Sequence, residues 1–311
     1  MSSKYAVAHL CSQGPGDARP TALEIINDEN LVGQLTDKVI LITGCSSGLG
    51  VETARAFSAT GATLYLTARD LNKAQSALGD LVNKGNVHLL QLDLNSLSSV
   101  RNCATNFLSK SSTLNILVCN AGVMVPPEGR TVDGFETQFG INHLAHFLLL
   151  QLLKNSLLSS ATTTMPSRVI MVSSSGHRMS EVQFDDFNFA SGYDAWNAYG
   201  QSKTAMIWTA NEIERRYGSL GLHAYSINPG MISSGLQKHV TVDMMNEWSN
   251  VPGLQEAFKS PGQGSATTVW AGVAQALKEQ GGAISRGLSG CWSVGSRCWA
   301  TGSRIRSLDI R

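Results

Sequence analysis

No run of apolar residues in this sequence is long enough to cross a bilayer. The longest, Phe147 to Leu153, falls far short of the roughly 20 residues a spanning helix needs. Met1 to Leu10 carries one lysine and no apolar block of signal-peptide length, so neither a leader nor a membrane anchor is expected and the chain reads as cytoplasmic. Charge is also scarce: 15% of residues are Asp, Glu, Lys or Arg, 24 basic against 23 acidic. That balance gives no overall field to recruit nucleic acid or an anionic membrane and favours a small, neutral or mildly polar partner. The six cysteines (Cys11, Cys45, Cys103, Cys119, Cys291 and Cys298) form no C-x-x-C pair, in a chain too long to need disulfide staples, and read as free thiols. His143 and His146 stand three apart on a predicted helix, but no third ligand of matching character lies near them, so a structural role is expected and no metal.

A hydrophobic fraction of 42% is ordinary for a buried core. From Lys38 onward, short β-branched or apolar runs alternate with longer helical patterns, as in repeated βαβ units around a parallel sheet. Strands are predicted at Val39 to Thr43, Thr63 to Thr67, Val87 to Gln91, Ile116 to Cys119, Arg168 to Val172 and His223 to Asn228. Helices are predicted at Gly50 to Ser58, Asn72 to Leu81, Leu97 to Leu108, Thr131 to Leu153 and Tyr199 to Arg216. The expectation is a single α/β domain over residues 37–280, a doubly wound, Rossmann-like parallel sheet with helices on both faces. Residues 1–36 form an N-terminal extension whose Thr21-Ala22-Leu23-Glu24 suits a capped short helix packed on that domain. Residues 281–311 are atypical: six glycines, six serines and five arginines against one acid, Asp309, with no strand or helix period. They read as a poorly ordered tail.

The first predicted strand runs into Thr43-Gly44-Cys45-Ser46-Ser47-Gly48-Leu49-Gly50, and a helix follows. Glycines let such a turn tighten and the backbone approach a pyrophosphate, while the helix N-terminus offers free N–H groups and partial positive charge. Some twenty residues on, the second strand ends at Thr67-Ala68-Arg69-Asp70. An acid at this place would bond the ribose hydroxyl of NAD, whereas an arginine grips a 2′-phosphate through paired donors. Ala68 offers no acid and Arg69 supplies the cation, which favours NADP(H), with Asp70 left either to neutralise Arg69 or to cap the next helix.

Tyr199 and Lys203 stand four apart where a helix is predicted to open, and therefore share one face. A phenol titrates near pH 10 and an adjacent ammonium lowers it, which suits proton transfer. Ser173-Ser174-Ser175 closes the fifth strand, at the sheet edge where open α/β folds bind ligands. With these motifs in place, residues from about Thr36 to about Ala276 resemble the short-chain dehydrogenase/reductase family, most nearly its retinol-dehydrogenase and WW-domain-oxidoreductase relatives. Thr43 to Gly50 has that family's T-G-x-x-x-G-x-G form and Asn120-Ala121-Gly122 its N-A-G.

The resemblance implies a catalytic tetrad of Asn142, Ser174, Tyr199 and Lys203, with a proton-relay water held by the helix backbone at Asn142. Tyr193 is a weaker alternative to Tyr199, having no lysine four residues on. It implies a cofactor site of Gly44, Ser46, Ser47, Gly48, Leu49, Gly50, Arg69, Asp93, Leu94, Asn120, Ala121, Gly122, Tyr199, Lys203, Pro229 and Gly230. It further implies NADP(H)-dependent interconversion of a carbonyl and an alcohol and a homodimer or homotetramer. The substrate is expected to be medium-sized and apolar, of secondary metabolism or a lipid, under an apolar lid over Ile232 to Phe258 with Met231, Met244, Met245 and Trp248. The tail departs from the family, because no apolar strand-like segment continues past Gly281-Gly282, as a changed reading frame or altered splicing would produce. The competing reading is a catalytically impaired or regulatory nucleotide-binding protein, which the intact tetrad disfavours.

Overall fold

The computed structural model describes residues 3–278 together with Gly281 and residues 284–285. In chain order its elements are α1 (Ser3–Ala6), α2 (Ala22–Asp28), β1 (Val39–Thr43), α3 (Gly48–Ala59), β2 (Thr63–Ala68), α4 (Leu71–Leu78), β3 (Val87–Gln91), α5 (Leu97–Leu108) and β4 (Ile116–Cys119). Then follow α6 (Ala145–Ser160), β5 (Ser167–Val172), α7 (Ala195–Tyr217), β6 (Leu222–Ile227), β7 (Met231–Ile232), α8 (Val242–Ser249), α9 (Leu254–Ala257), β8 (Phe258–Lys259), α10 (Pro261–Val273) and β9 (Ile284–Ser285). Seven parallel strands form one sheet in the order β3-β2-β1-β4-β5-β6-β9, and β7 and β8 pair separately.

Both faces of the sheet are covered, so the strands read as continuous apolar runs. Successive side chains alternate between the faces. Ile40 and Ile42 of β1, with Ile116 and Val118 of β4, pack against α2, α3 and α10. Leu41, Leu117 and Cys119 pack the other way, against α5, α6 and α7. The extension is stitched into the first of these layers. Thr21 and Glu24 form a full capping box at the start of α2, and Ile25 and Ile26 are fully buried in the core. The strand order reverses between β1 and β4, which opens a crevice at their carboxyl ends.

Three elements differ from the sequence expectation. Thr131 to Leu153 is not one helix: Arg130 and Glu136 form an antiparallel bridge, Phe139–Leu144 is a π-helical turn, and α6 begins only at Ala145. The cause is Glu136, whose buried carboxylate accepts the backbone N–H groups of Gln138 and Phe139 and so fixes the helix start after itself. Second, α7 opens at Ala195 rather than Tyr199, because the Asp194 side chain caps it through Asn197 N. Third, a strand does exist beyond Gly281: Ile284 and Ser285 pair with Ser226 and Ile227. The remainder of the tail, with Cys291 and Cys298, lies outside the described residues. Cys11, Cys45, Cys103 and Cys119 are free thiols, and no helix among the described residues is long and apolar enough to cross a membrane.

Candidate active site

The glycine turn sits at the switch point of the sheet. Gly44 has φ +78°, and a Cβ there would lie 2.8 Å from that of Ala121; a Cβ on Gly50 would lie 2.2 Å from the Gly44 carbonyl oxygen. Neither position has room for a side chain, and the backbone is left open to a ligand approaching from the strand ends. Helix α3 starts at Gly48 with no acid in its first turn, and the Ser47 hydroxyl makes no capping bond to it. Free N–H groups, partial positive charge and an unspent hydroxyl together suit an anion. Leu49 packs beside Gly264 of α10 and faces Ile232 there.

Arg69 is exposed at the end of β2 and forms no ion pair among the described residues, while Asp70 caps α4 through Lys73 N at 3.0 Å. The two uses left open for Asp70 are thereby decided in favour of the cap, and the guanidinium is available to a ligand. Asp93 accepts Asn95 N with one carboxylate oxygen, and the neighbouring Leu94 is buried.

A buried hydrogen-bond chain runs from this turn towards the chemical end. Thr43 Oγ1 accepts the N–H groups of Asn120 (2.9 Å) and Ala121 (3.0 Å) and meets His146 Nε2 at 2.9 Å. His146 Nδ1 lies 2.8 Å from the Asn142 carbonyl, which can only accept. Nδ1 therefore carries the proton, and Thr43 donates to Nε2. Burial pushes His146 down to about 4, so it stays neutral. His146 is thus committed to two structural partners, and no cluster of three metal-ligating side chains occurs among the described residues. The Asn142 side chain accepts from Val123 N and donates to the Val123 carbonyl and to Ser202 Oγ, each within 2.9 Å. Ser202 in turn donates to the Tyr199 carbonyl. Asn120 Nδ2 donates to the Thr43 carbonyl at 2.8 Å.

Ser174 and Lys203 both lie against Tyr199, and the Lys203 ammonium also reaches Gly122. The Ser174 hydroxyl accepts Gly176 N, and a Cβ on Gly176 would lie 3.5 Å from that hydroxyl and 2.7 Å from the Tyr199 ring, so serine and tyrosine meet over the same glycine. Lys203 is 4% exposed; its ammonium lies 5.6 Å from the centre of the Tyr199 ring and donates to the Val172 carbonyl at 2.9 Å. Burial pushes the phenol up to about 12, against a smaller lowering by Ser174, and pushes Lys203 down to about 8. In the chain without nucleotide, desolvation sets the direction at both groups. Tyr193, the other candidate, donates to the Pro126 carbonyl and is tied to Gln138, away from this corner.

An apolar cover closes over Tyr199. Met124 and Val125 from the loop after β4, Val240, and Met244 and Trp248 of α8 pack around its ring with Trp196. The Trp196 ring stands edge-on to those of Tyr199 (6.4 Å) and Trp248 (6.1 Å). Of the lid residues singled out in the sequence, Met244 and Trp248 face the site, while Met245 is 43% exposed.

A doubly wound sheet with a glycine turn suited to an anion at its switch point, and a serine beside a buried Tyr-Lys pair at the same edge, defines a nucleotide-dependent oxidoreductase. The chain belongs to the short-chain dehydrogenase/reductase family, whose "short chain dehydrogenase" profile matches residues 38–244. It is 50% identical to the short-chain dehydrogenase/reductase prx1 of Penicillium roqueforti, over 94% of this chain and 85% of that protein. It is 42% identical to the oxidoreductase calI of Penicillium decumbens, over 90% and 84%. Among solved structures, the RhlG/NADP active-site complex of Pseudomonas aeruginosa is 25% identical, with a TM-score of 0.64 over 81% of this chain and 95% of that one.

Several residues that shape the site carried no readable signal. A Cβ on Gly176 would stand 2.7 Å from the Tyr199 ring, and one on Gly200 would stand 2.9 Å from the Gly176 carbonyl oxygen. These two glycines let the segment after β5 lie flat on α7, and isolated glycines in a sequence do not announce such contacts. Gly50→Ala is expected to destabilise the fold by about 1–3 kcal/mol, because the obstructing atom is a backbone carbonyl that cannot swing aside. Gly85→Ala, with nothing within 4 Å, is the control and should unfold within about 0.5 kcal/mol of wild type in urea.

Proposed function

We propose that this protein is an NADP(H)-dependent oxidoreductase that interconverts a carbonyl and an alcohol on a medium-sized apolar substrate, with Asn142, Ser174, Tyr199 and Lys203 as its working residues. The observation that carries the reading is the placement of the half-buried Ser174 hydroxyl and the buried Lys203 ammonium against the buried Tyr199 ring. The residues present fit the cofactor. Gly44, Ser46, Ser47, Gly48 and Gly50 would hold the pyrophosphate, Asp93 and Leu94 the adenine end, and Asn120 to Gly122, Pro229 and Gly230 the nicotinamide end. When bound, NADPH supplies hydride to the carbonyl carbon.

Ser174 holds the substrate oxygen by donating its hydroxyl proton. Tyr199, kept protonated by burial at neutral pH, delivers its phenolic proton to that oxygen as charge develops there. Lys203 lies near enough to steady the phenolate that remains. Asn142 holds α7 against the loop after β4 through Ser202 and Val123, so the donor meets its acceptor at a fixed distance. The Trp196, Trp248, Met244 and Val240 cover excludes water and favours an apolar body over a charged one. NADP is preferred to NAD because Arg69 is exposed and unpaired among the described residues and Asp70 is spent on a helix cap. That the similar RhlG structure is a complex with NADP supports the choice.

Tyr199→Phe is expected to lower turnover on any accepted carbonyl by at least about a thousandfold while leaving NADPH affinity within about threefold, since it deletes the proton donor and keeps the ring. Lys203→Ala should weaken both. Single-turnover kinetics with nucleotide fluorescence reads the two effects apart, and near wild-type turnover in Tyr199→Phe contradicts the assignment. Arg69→Asp should reverse the preference, weakening NADPH and improving NADH relative to wild type. Affinities for both nucleotides that do not change on substitution would remove Arg69 from the site.

A further inference from the structure

Lys259 is a charged side chain that the chemistry above does not use, and it is only 3% exposed. Its ammonium donates to the Pro229 carbonyl at 3.1 Å, and a Cβ on Gly230, whose φ is +96°, would lie 3.2 Å from both Lys259 Cε and Nζ. The lysine stem thus fills the space under Gly230, and its head grips the turn that follows β6. Burial pushes Lys259 down to about 8, with Arg19 adding to the lowering and Asp17 opposing it. A buried ammonium costs free energy unless its position is fixed by good partners.

What fixes it lies in the N-terminal extension. Lys259 belongs to β8, which pairs with β7 through Met231–Phe258 and Ile232–Lys259. The lid chain leaves the sheet at β7 and returns at β8. Arg19, also 3% exposed, donates to the carbonyls of Gly14 (3.1 Å), Glu256 (3.2 Å), Ala257 (3.0 Å) and Phe258, and its Nε bonds Asp17 at 2.8 Å. Four of those five acceptors are backbone oxygens, three of them on the run into β8. Gln263 closes the clasp. Its amide nitrogen faces the Asp17 and Arg19 carbonyls and the Asp17 carboxylate, and its oxygen accepts Gly16 N and Ser260 N. A planar fork with several donors spans such a set of carbonyls, and a lysine at the same place does not.

We propose that Arg19 and Lys259 are positioning residues for the nicotinamide end of the site: Arg19 clamps residues 13–19 onto β8, and Lys259 passes that clamp to Pro229–Gly230. The proposal rests on the cofactor reading given above. It makes the N-terminal extension a working part of the site, since the backbone under the nicotinamide is held from a segment more than 200 residues away in sequence.

The test uses the full chain, with and without NADPH, and the variants Arg19→Gln, Arg19→Lys, Lys259→Met and Arg19→Gln/Lys259→Met. Without nucleotide, Arg19→Gln should speed amide hydrogen exchange at Met231, Ile232, Phe258 and Lys259 at least about tenfold while leaving the strands β1 to β5 unchanged. Arg19→Lys should not restore the slow exchange. Lys259→Met should weaken NADPH binding about tenfold, Arg19→Gln less so, and the double variant no more than the stronger single, because the two act in series. Should Arg19→Gln fail to fold, Asp17→Asn, which loosens the brace and leaves the carbonyl bonds, must show the same local exchange in smaller measure. Unchanged exchange at β7 and β8, faster exchange spread evenly over the sheet, or additive effects on NADPH would each overturn the proposal. Wild-type protein that binds no NADPH would instead overturn the cofactor reading, and the exchange pattern alone would then decide whether the clamp exists.

Discussion

The two ends of this site are joined through one hydroxyl. Thr43 Oγ1 stands fully buried at the end of β1, accepting two N–H groups from the start of the loop after β4 and donating to His146. Its donor and both acceptor positions are used, so it has no capacity left for water. From His146 the chain continues through the Asn142 carbonyl, and from the Asn142 side chain through Ser202 to the Tyr199 backbone. Each bond contributes only about 1 kcal/mol net, but leaving any buried member unpaired costs about 1–3 kcal/mol, so the members hold or fail together. The glycine turn at β1 and the phenol on α7 keep a fixed separation for that reason. The π-helical turn that presents Asn142 belongs to the same arrangement, since it carries the shared asparagine into reach of Val123 and Ser202.

Burial governs the electrostatics at the chemical end. Tyr199 and Lys203 are both nearly inaccessible, and loss of water moves them in opposite directions, the phenol up to about 12 and the ammonium down to about 8. Both shifts favour the neutral forms. For the proposed reduction, the protonated phenol is the form that can donate. A lysine near 8 lies within reach of physiological pH, which makes its charge the variable part of the site. The apolar cover of Trp196, Trp248 and Met244 packs on the same buried phenol.

Much of this was legible in the sequence where the information is local. The strands around the switch point, such as Val39 to Thr43 and Ile116 to Cys119, are continuous apolar runs because both faces of the sheet are covered, and their bounds could be read directly. The glycine turn and the Tyr199–Lys203 spacing are likewise short-range patterns. What could not be read depends on side chains distant in sequence. Glu136 delays the start of the helix expected over Thr131 to Leu153 by accepting the N–H groups that follow it, and nothing in the apolar spacing reveals it. A structural role was expected for His146, but its partner, Thr43, lies 103 residues away and could not be read from the sequence. Lys259 meets Pro229 across 30 residues, and the strand Ile284–Ser285 is too short for any period to show. The burial of Tyr199 and Lys203 by the helix that brings them together is likewise not visible in their four-residue spacing.

The most direct test of the central claim, that Tyr199 is the proton donor and Lys203 the charge that supports it, is the pH dependence of kcat/KM for carbonyl reduction with NADPH. Lys203 is charged below its folded value of about 8 and neutral above it, whereas Tyr199 stays protonated to about 12. The rate should therefore be level through neutrality and fall about tenfold per pH unit above pH 8, through loss of a single proton. A rate that instead rose with pH, or stayed level to about pH 10, would contradict the account.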